Sequence, residues 1–197
     1  MALIRLLFII LSLMLLLGCR TNVSTAVTAD ETVDNSAPSV PKSSRDMLLT
    51  RGSIAPDFLI TAFDGKTYRL SEHREKGVVL NFWASWCGPC RWEMPYFEEN
   101  WKEYQDNILF VGVAVRDFEE QARLFSELTG VTYPNGLDNN GEIAAIYNVT
   151  SMPTTYFIDK DGLIVRGLIG ATNEGTLKWF IDNLFKNTEQ QNGISES

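Results

Sequence analysis

Two of the chain's three cysteines, Cys87 and Cys90, lie two residues apart in the stretch NFWASWCGPCRWEMP, Asn81 to Pro95. Thiols at that spacing can form a reversible disulfide, supply half of a metal site, or close a structural staple. Their position favours the first. A strand ends near Trp83 and a helix begins near Cys87. The first turn of a helix carries unpaired N–H groups and a partial positive charge. Both stabilise a thiolate, so the Cys87 pKa is expected below the free value of about 8.5. Gly88 and Pro89 open the helix, and Cys90 falls on its inner side. Cys87 is then the nucleophile, and Cys90 resolves the mixed disulfide that Cys87 forms.

The alternatives lack support from the rest of the chain. A structural zinc site needs about four ligands. There is no second CxxC, and the single His, His73, sits in the polar stretch SEHREKG, where a solvated turn residue is expected. No metal site and no His-based triad are expected. Two thiolates do suit copper(I), so a copper(I)-binding or adaptor protein on the same scaffold is the competing reading. A purely structural disulfide over so short a loop would constrain little of the unfolded chain.

The elements that must position the pair are legible. Phe58 to Thr61, an Asp64-Gly65 turn and Thr67 to Leu70 read as a hairpin. GVVLNFW, Gly77 to Trp83, and ILFVGVAV, Ile108 to Val115, are continuous apolar runs that suit strands buried on both faces. Between them, Met94, Phe97, Trp101 and Tyr104 recur at helical spacing, with Pro95 expected to kink the helix. Helices are expected at Phe118 to Leu128, with Ala122, Phe125 and Leu128 inward, and at Asn139 to Tyr147. Thr154 to Asp159 and Leu163 to Gly170 read as an antiparallel pair. Thr172 to Phe185 closes the domain as a helix, with Leu177, Phe180, Ile181 and Leu184 on one face. The order hairpin, β, α, β, α, α, β, β, α argues an α/β fold with a mixed central sheet flanked by helices.

The full chain has 197 residues, 45% of them hydrophobic, and a net charge of −8. That is enough for one compact domain with added segments. Lys and Arg are scattered, so the chain would repel a phosphate backbone, and no nucleic-acid partner is expected. At the N-terminus, Arg5 precedes an apolar run from Leu6 to Leu17 broken only by Ser12. As a helix that run would span ~18 Å, short of a ~30 Å hydrocarbon core. This is the pattern of a secretory signal over residues 1–18. Residues 19–50 are rich in Ser, Thr, Asp, Asn, Ala and Pro, and read as a flexible tether. The domain is expected over 51–186, and 187–197 as a polar, frayed tail.

Four stretches carry resemblances. Leu16-Leu17-Gly18-Cys19 resembles the lipobox of bacterial lipoproteins, although the family more often has a small residue where Leu17 stands. It implies that Cys19 becomes the lipid-bearing first residue; an uncleaved anchor is the alternative. Either way the domain faces outside the cytoplasm, in the periplasm or at the cell surface, held at the cell membrane. FWASWCGPCRWEMP resembles the active-site segment of thioredoxins. Ser151-Met152-Pro153-Thr154-Thr155 matches that family's loop with a cis proline facing the disulfide. The likeness implies a thioredoxin-like fold, and a Met152 backbone free to pair with an extended substrate segment. Trp86, Gly88, Pro89, Met152 and Pro153 are the implied substrate contacts, and Trp83 and Trp92 are left as core or groove.

GSIAPDF, Gly52 to Phe58, followed by the hairpin, resembles the membrane-anchored ResA/TlpA-like branch, which overlaps the alkyl hydroperoxide reductase and thiol-specific antioxidant family. That implies a membrane-tethered thiol–disulfide oxidoreductase, a reductant of protein disulfides with apocytochrome c among its substrates. It would need no cofactor beyond the Cys87–Cys90 couple, and a membrane thiol donor such as a disulfide-relay transmembrane protein would re-reduce it. Thioredoxins carry a buried Asp where this chain has Asn81. An amide cannot do acid–base work, so Glu93, one helical turn past Cys90, is expected to relay the proton. Peroxidases of the overlapping family place a Pro/Thr-rich turn before a single Cys; here FWASW precedes Cys87, so direct peroxide reduction is not expected.

Overall fold

The structure, a computed structural model, describes residues 48–192, with side chains as far as Leu184. The expectations for residues 1–18, for Cys19 and for most of the 19–50 stretch fall outside the described residues.

A hairpin comes first, β1 (Leu59–Thr61) and β2 (Thr67–Arg69). Its turn contains Gly65 at a φ of +88°, a region open to glycine and costly for other residues. The main sheet holds β3 (Gly77–Trp83), β4 (Ile108–Val115), β5 (Asn135–Asp138), β6 (Thr154–Ile158) and β7 (Ile164–Ile169) in the order β5-β4-β3-β6-β7. β3, β4 and β5 are parallel, while β6 and β7 run antiparallel to their neighbours. The helices are α1 (Gly88–Tyr104), α2 (Glu119–Thr129), α3 (Glu142–Ile146) and α4 (Glu174–Asn192). A short 3-10 turn, Leu70–His73, follows the hairpin.

β3 and β4 are buried at every residue, which is why they read as unbroken apolar runs. Strand alternation splits the β3 side chains between two layers. Val78, Leu80 and Phe82 join a core with Phe58, Ile60, Tyr147 and Tyr156. Val79 faces the other way, with Phe97, Phe110, Phe157, Leu177 and Ile181. Asn81 has the same parity as Val79, so it turns toward the α1 layer. That single fact of register puts a polar side chain within reach of the helix that carries the cysteines.

Several expectations are corrected. β5 is absent from the sequence reading; it is a four-residue strand, NGLD, at the sheet edge. α3 is shorter than the Asn139–Tyr147 reading, because Asn139 and Asn140 form a turn and Gly141, at a φ of +74°, caps the helix. Leu128 points outward, 68% exposed, since the inner arc of α2 is set by Ala122, Phe125 and Ser126. α4 runs past Phe185 to Asn192. His73 is half-buried rather than free in solvent, its ring 5.9 Å from that of Tyr68. Pro95 lies inside α1, and the helix continues through it to Tyr104.

Residues 52–63 touch the sheet at both of its edges. Ala62 bridges Gly136, and the Phe63 N–H donates to the Asn135 carbonyl at 2.6 Å, covering β5. Ile54 bridges Leu163, and the Gly52 N–H donates to the Ile164 carbonyl at 2.8 Å, covering the start of β7.

Gly112, mid-β4, admits no side chain. A Cβ there would strike the Asn135 amide and come within 2.8 Å of the Trp83 indole nitrogen. Those two groups are bonded, Trp83 Nε1 donating to Asn135 Oδ1 at 2.9 Å. Gly112→Ala should therefore destabilise the fold by about 2 kcal/mol or more. A urea melt checks this; an unchanged midpoint would mean the amide and indole move aside at no cost.

Candidate active site

Cys87 is the N-cap of α1, and Pro89 occupies its first turn, where a missing N–H costs nothing. The Cys90 N–H donates to Cys87 Sγ at 3.2 Å. The two sulfurs are joined in a disulfide, with Cα atoms 5.3 Å apart. Cys87 retains 5% exposure and Cys90 none, so Cys87 is the sulfur an incoming thiol can reach. Once the bond is reduced, the Cys90 N–H and the helix end favour the Cys87 thiolate.

The loop before the helix is braced from β4's far end. Ser85 donates through both its N–H and its hydroxyl to Asp117, the hydroxyl at 2.8 Å. Trp86 is 65% exposed beside the pair, while Trp83 is fully buried against Phe125. Trp92 is 80% exposed, so of these two Trp83 is core and Trp92 is surface. Gly88 and Pro89 are exposed. Across the groove, the Met152–Pro153 peptide bond is cis, as the resemblance implies. Pro153 is buried, and half-buried Met152 packs against the cluster that holds both cysteines.

Glu93 is completely buried, one helical turn past Cys90. Its Oε1 accepts from Asn81 Nδ2 at 2.8 Å, and its Oε2 accepts from the Thr172 N–H at 3.0 Å. Asn81 Nδ2 also donates to Thr155 Oγ1 at 3.1 Å. Burial pushes the Glu93 carboxyl up, against the pull of the Thr172 and Asn81 hydrogen bonds, to about 7. A carboxyl near neutrality can hold or give up a proton at ordinary pH. The structure thus packs Cys87, Cys90 and Met152 together, with Trp86 lining the same groove as Met152 and Pro153 next in the chain, and it sets Glu93 one helical turn past Cys90. Sequence reasoning sets Asn81 aside as chemically inert, yet it holds the carboxylate, and it misses Thr172 and the Ser85–Asp117 brace. Thr172 gives no local signal; its partner is 79 positions away. Among the described residues, no three His, Cys, Asp or Glu side chains converge as a metal site.

A closely spaced disulfide pair at a helix N-terminus, on a mixed sheet opposite a cis proline, defines a thioredoxin-like thiol–disulfide oxidoreductase. The chain belongs to the AhpC/TSA family, whose model matches residues 51–166. It is 35% identical to the thiol-disulfide oxidoreductase ResA of Geobacillus thermodenitrificans (strain NG80-2), over 68% of this chain and 77% of that one. It is 37% identical to the thioredoxin-like protein YneN of Bacillus subtilis (strain 168), over 71% of this chain and 84% of the relative. Among solved structures, a thiol:disulfide interchange protein of the thioredoxin family from Chlorobium tepidum TLS superposes with a TM-score of 0.63 at 25% identity, covering 68% of this chain and 97% of the other.

Proposed function

We propose that the chain is a membrane-tethered, extracytoplasmic reductant of protein disulfides that works through the Cys87–Cys90 couple. The observation that carries this reading is the pair itself: one slightly exposed sulfur at a helix N-terminus, the other fully buried one helical turn before a protonatable carboxyl. In the forward reaction the Cys87 thiolate attacks a substrate disulfide. One substrate sulfur leaves as a thiolate and takes a proton. Cys90 then gives its proton toward Glu93 and attacks Cys87 Sγ, releasing the second substrate thiol. The substrate gains two electrons and two protons; the enzyme loses them and closes its disulfide. A membrane thiol donor must restore the dithiol. Disulfides in the haem-attachment motif of apocytochrome c are the substrates we favour, on the resemblance to the ResA-like branch.

The direction of electron flow is tested by the reduction potential, measured in glutathione or dithiothreitol buffers. A value near or below about −270 mV supports a reductant, and one near about −120 mV would make the protein a disulfide-forming oxidant. Membrane attachment rests on the sequence of the N-terminus, and no helix among the described residues is long and apolar enough to cross a membrane. Mass spectrometry of the membrane-extracted N-terminus checks Cys19: a lipid adduct supports the tether, and an intact Met1 overturns lipidation.

A further inference from the structure

A groove of about 450 Å³ opens beside the disulfide, between Trp86 and Met152. Its wall mixes small apolar residues, Val115, Ala144 and Val149, with the neutral polar Asn148, Thr150 and Ser151. Arg116 is the only charged residue that lines it. We propose that this groove selects substrate segments that carry a carboxylate next to their cysteine, and that Arg116 is the group that reads it. The proposal rests on the oxidoreductase reading of the site and names its substrate class.

Arg116 is placed for this at some conformational cost. Its φ is +47°, a region that non-glycine residues seldom occupy. The backbone is held there by its N–H, which donates to the Asp138 carbonyl at 3.0 Å. The guanidinium lies over Gly141; a Cβ at that position would come 2.5 Å from Arg116 Nε. Glycine at 141 thus leaves the room the guanidinium fills. Nε makes one long hydrogen bond, 3.4 Å to the Asn140 carbonyl, which braces little. The terminal nitrogens have no protein partner among the described residues.

None of the neighbouring acids forms an ion pair with it among the described residues. Asp117 accepts from Ser85 and from the Phe118 N–H, and Asp138 accepts from the Glu142 and Ala144 N–H groups. Glu142 is exposed at the start of α3 and makes no ion pair with Arg116. An arginine is charged at every working pH, and its planar fork matches a carboxylate with two parallel bonds. With neutral residues making up the rest of the lining, that charge is the groove's only means of telling one extended segment from another by sign. The chain's net charge of −8 points the other way, so any preference for acidic segments must arise locally.

The test uses matched peptides with an apolar body and one cysteine, flanked on both sides by Glu, Gln or Lys. Binding is measured first, with the cysteine replaced by serine, so that no chemistry is needed. The Glu peptide should bind about tenfold tighter than the Lys peptide. R116Q should level the three affinities, and R116E should reverse their order. Should R116E fail to fold, R116Q decides alone, with circular dichroism as the folding control. Equal affinities in the wild type, or a preference that survives R116Q, would overturn the proposal. Reduction of the corresponding disulfide peptides is read separately. Charge-selective binding without reduction would leave Arg116's role intact and sink the reductant reading; reduction without charge preference would do the reverse.

Discussion

Cys87→Ser should reduce disulfide-reductase turnover by about a thousandfold or more, to the uncatalysed level, because the only sulfur of the pair with surface exposure is then gone. Cys90→Ser should fail differently. It keeps the nucleophile at the helix N-terminus and removes the resolving thiol, so the reaction stops at the mixed disulfide. Intact-mass measurement after mixing with a disulfide substrate should show a covalent adduct on Cys87 in Cys90→Ser and none in Cys87→Ser. An adduct through Cys90 would reverse the assigned roles. Substantial turnover in Cys87→Ser would remove the pair from the mechanism.

The second large effect concerns Glu93. Its folded-state pKa is raised from 4.5 to about 7. The folded protein therefore keeps this proton at a pH where the unfolded chain has lost it. The neutral carboxyl's contribution to stability is full below about pH 4.5, and is lost as pH rises through about 7. The span is worth ~3 kcal/mol. Glu93→Gln keeps the shape and has no proton to lose, so it should gain on the wild type by that amount between pH 4.5 and 8. Urea melts of both proteins at the two ends of the range measure the difference; parallel stability curves would mean that Glu93 does not titrate where burial puts it. The proton-relay role needs a separate reading. In the reduced enzyme, the pH profile of Cys90 alkylation should shift in Glu93→Gln, and an unchanged profile would leave Glu93 a purely structural carboxyl.

Much of the scaffold and the heart of the site are legible in the sequence. β3 and β4 are buried on both faces, and such strands write themselves as apolar runs with sharp ends. The cysteine pair and Glu93 lie within two turns of one helix start, so spacing alone relates them. What cannot be read depends on distant partners. β5 is only Asn-Gly-Leu-Asp, and it is a strand because β4 and the hairpin pair with it. Asn81 looks like a lost acid; only the pairing of β3 with β6 and the packing of α1 show that its amide is clamped between Thr155 and Glu93. Arg116 stands out in no pattern, since its importance lies in a positive φ and in the glycine beneath its side chain.

The segment ahead of β3 has a consequence beyond the site. Every residue assigned to the chemistry lies at or after Asn81, so residues 51–76 look dispensable. They are the chain's guard against strand addition. Ala62 and Phe63 cover part of the β5 edge, and Gly52 to Ala55 cover the start of β7, the two strands at the edges of the sheet. A fragment trimmed back to β3 would lose Phe58 and Ile60 from the core and would present two bare edges to its neighbours. It would fail by losing stability and by self-association together.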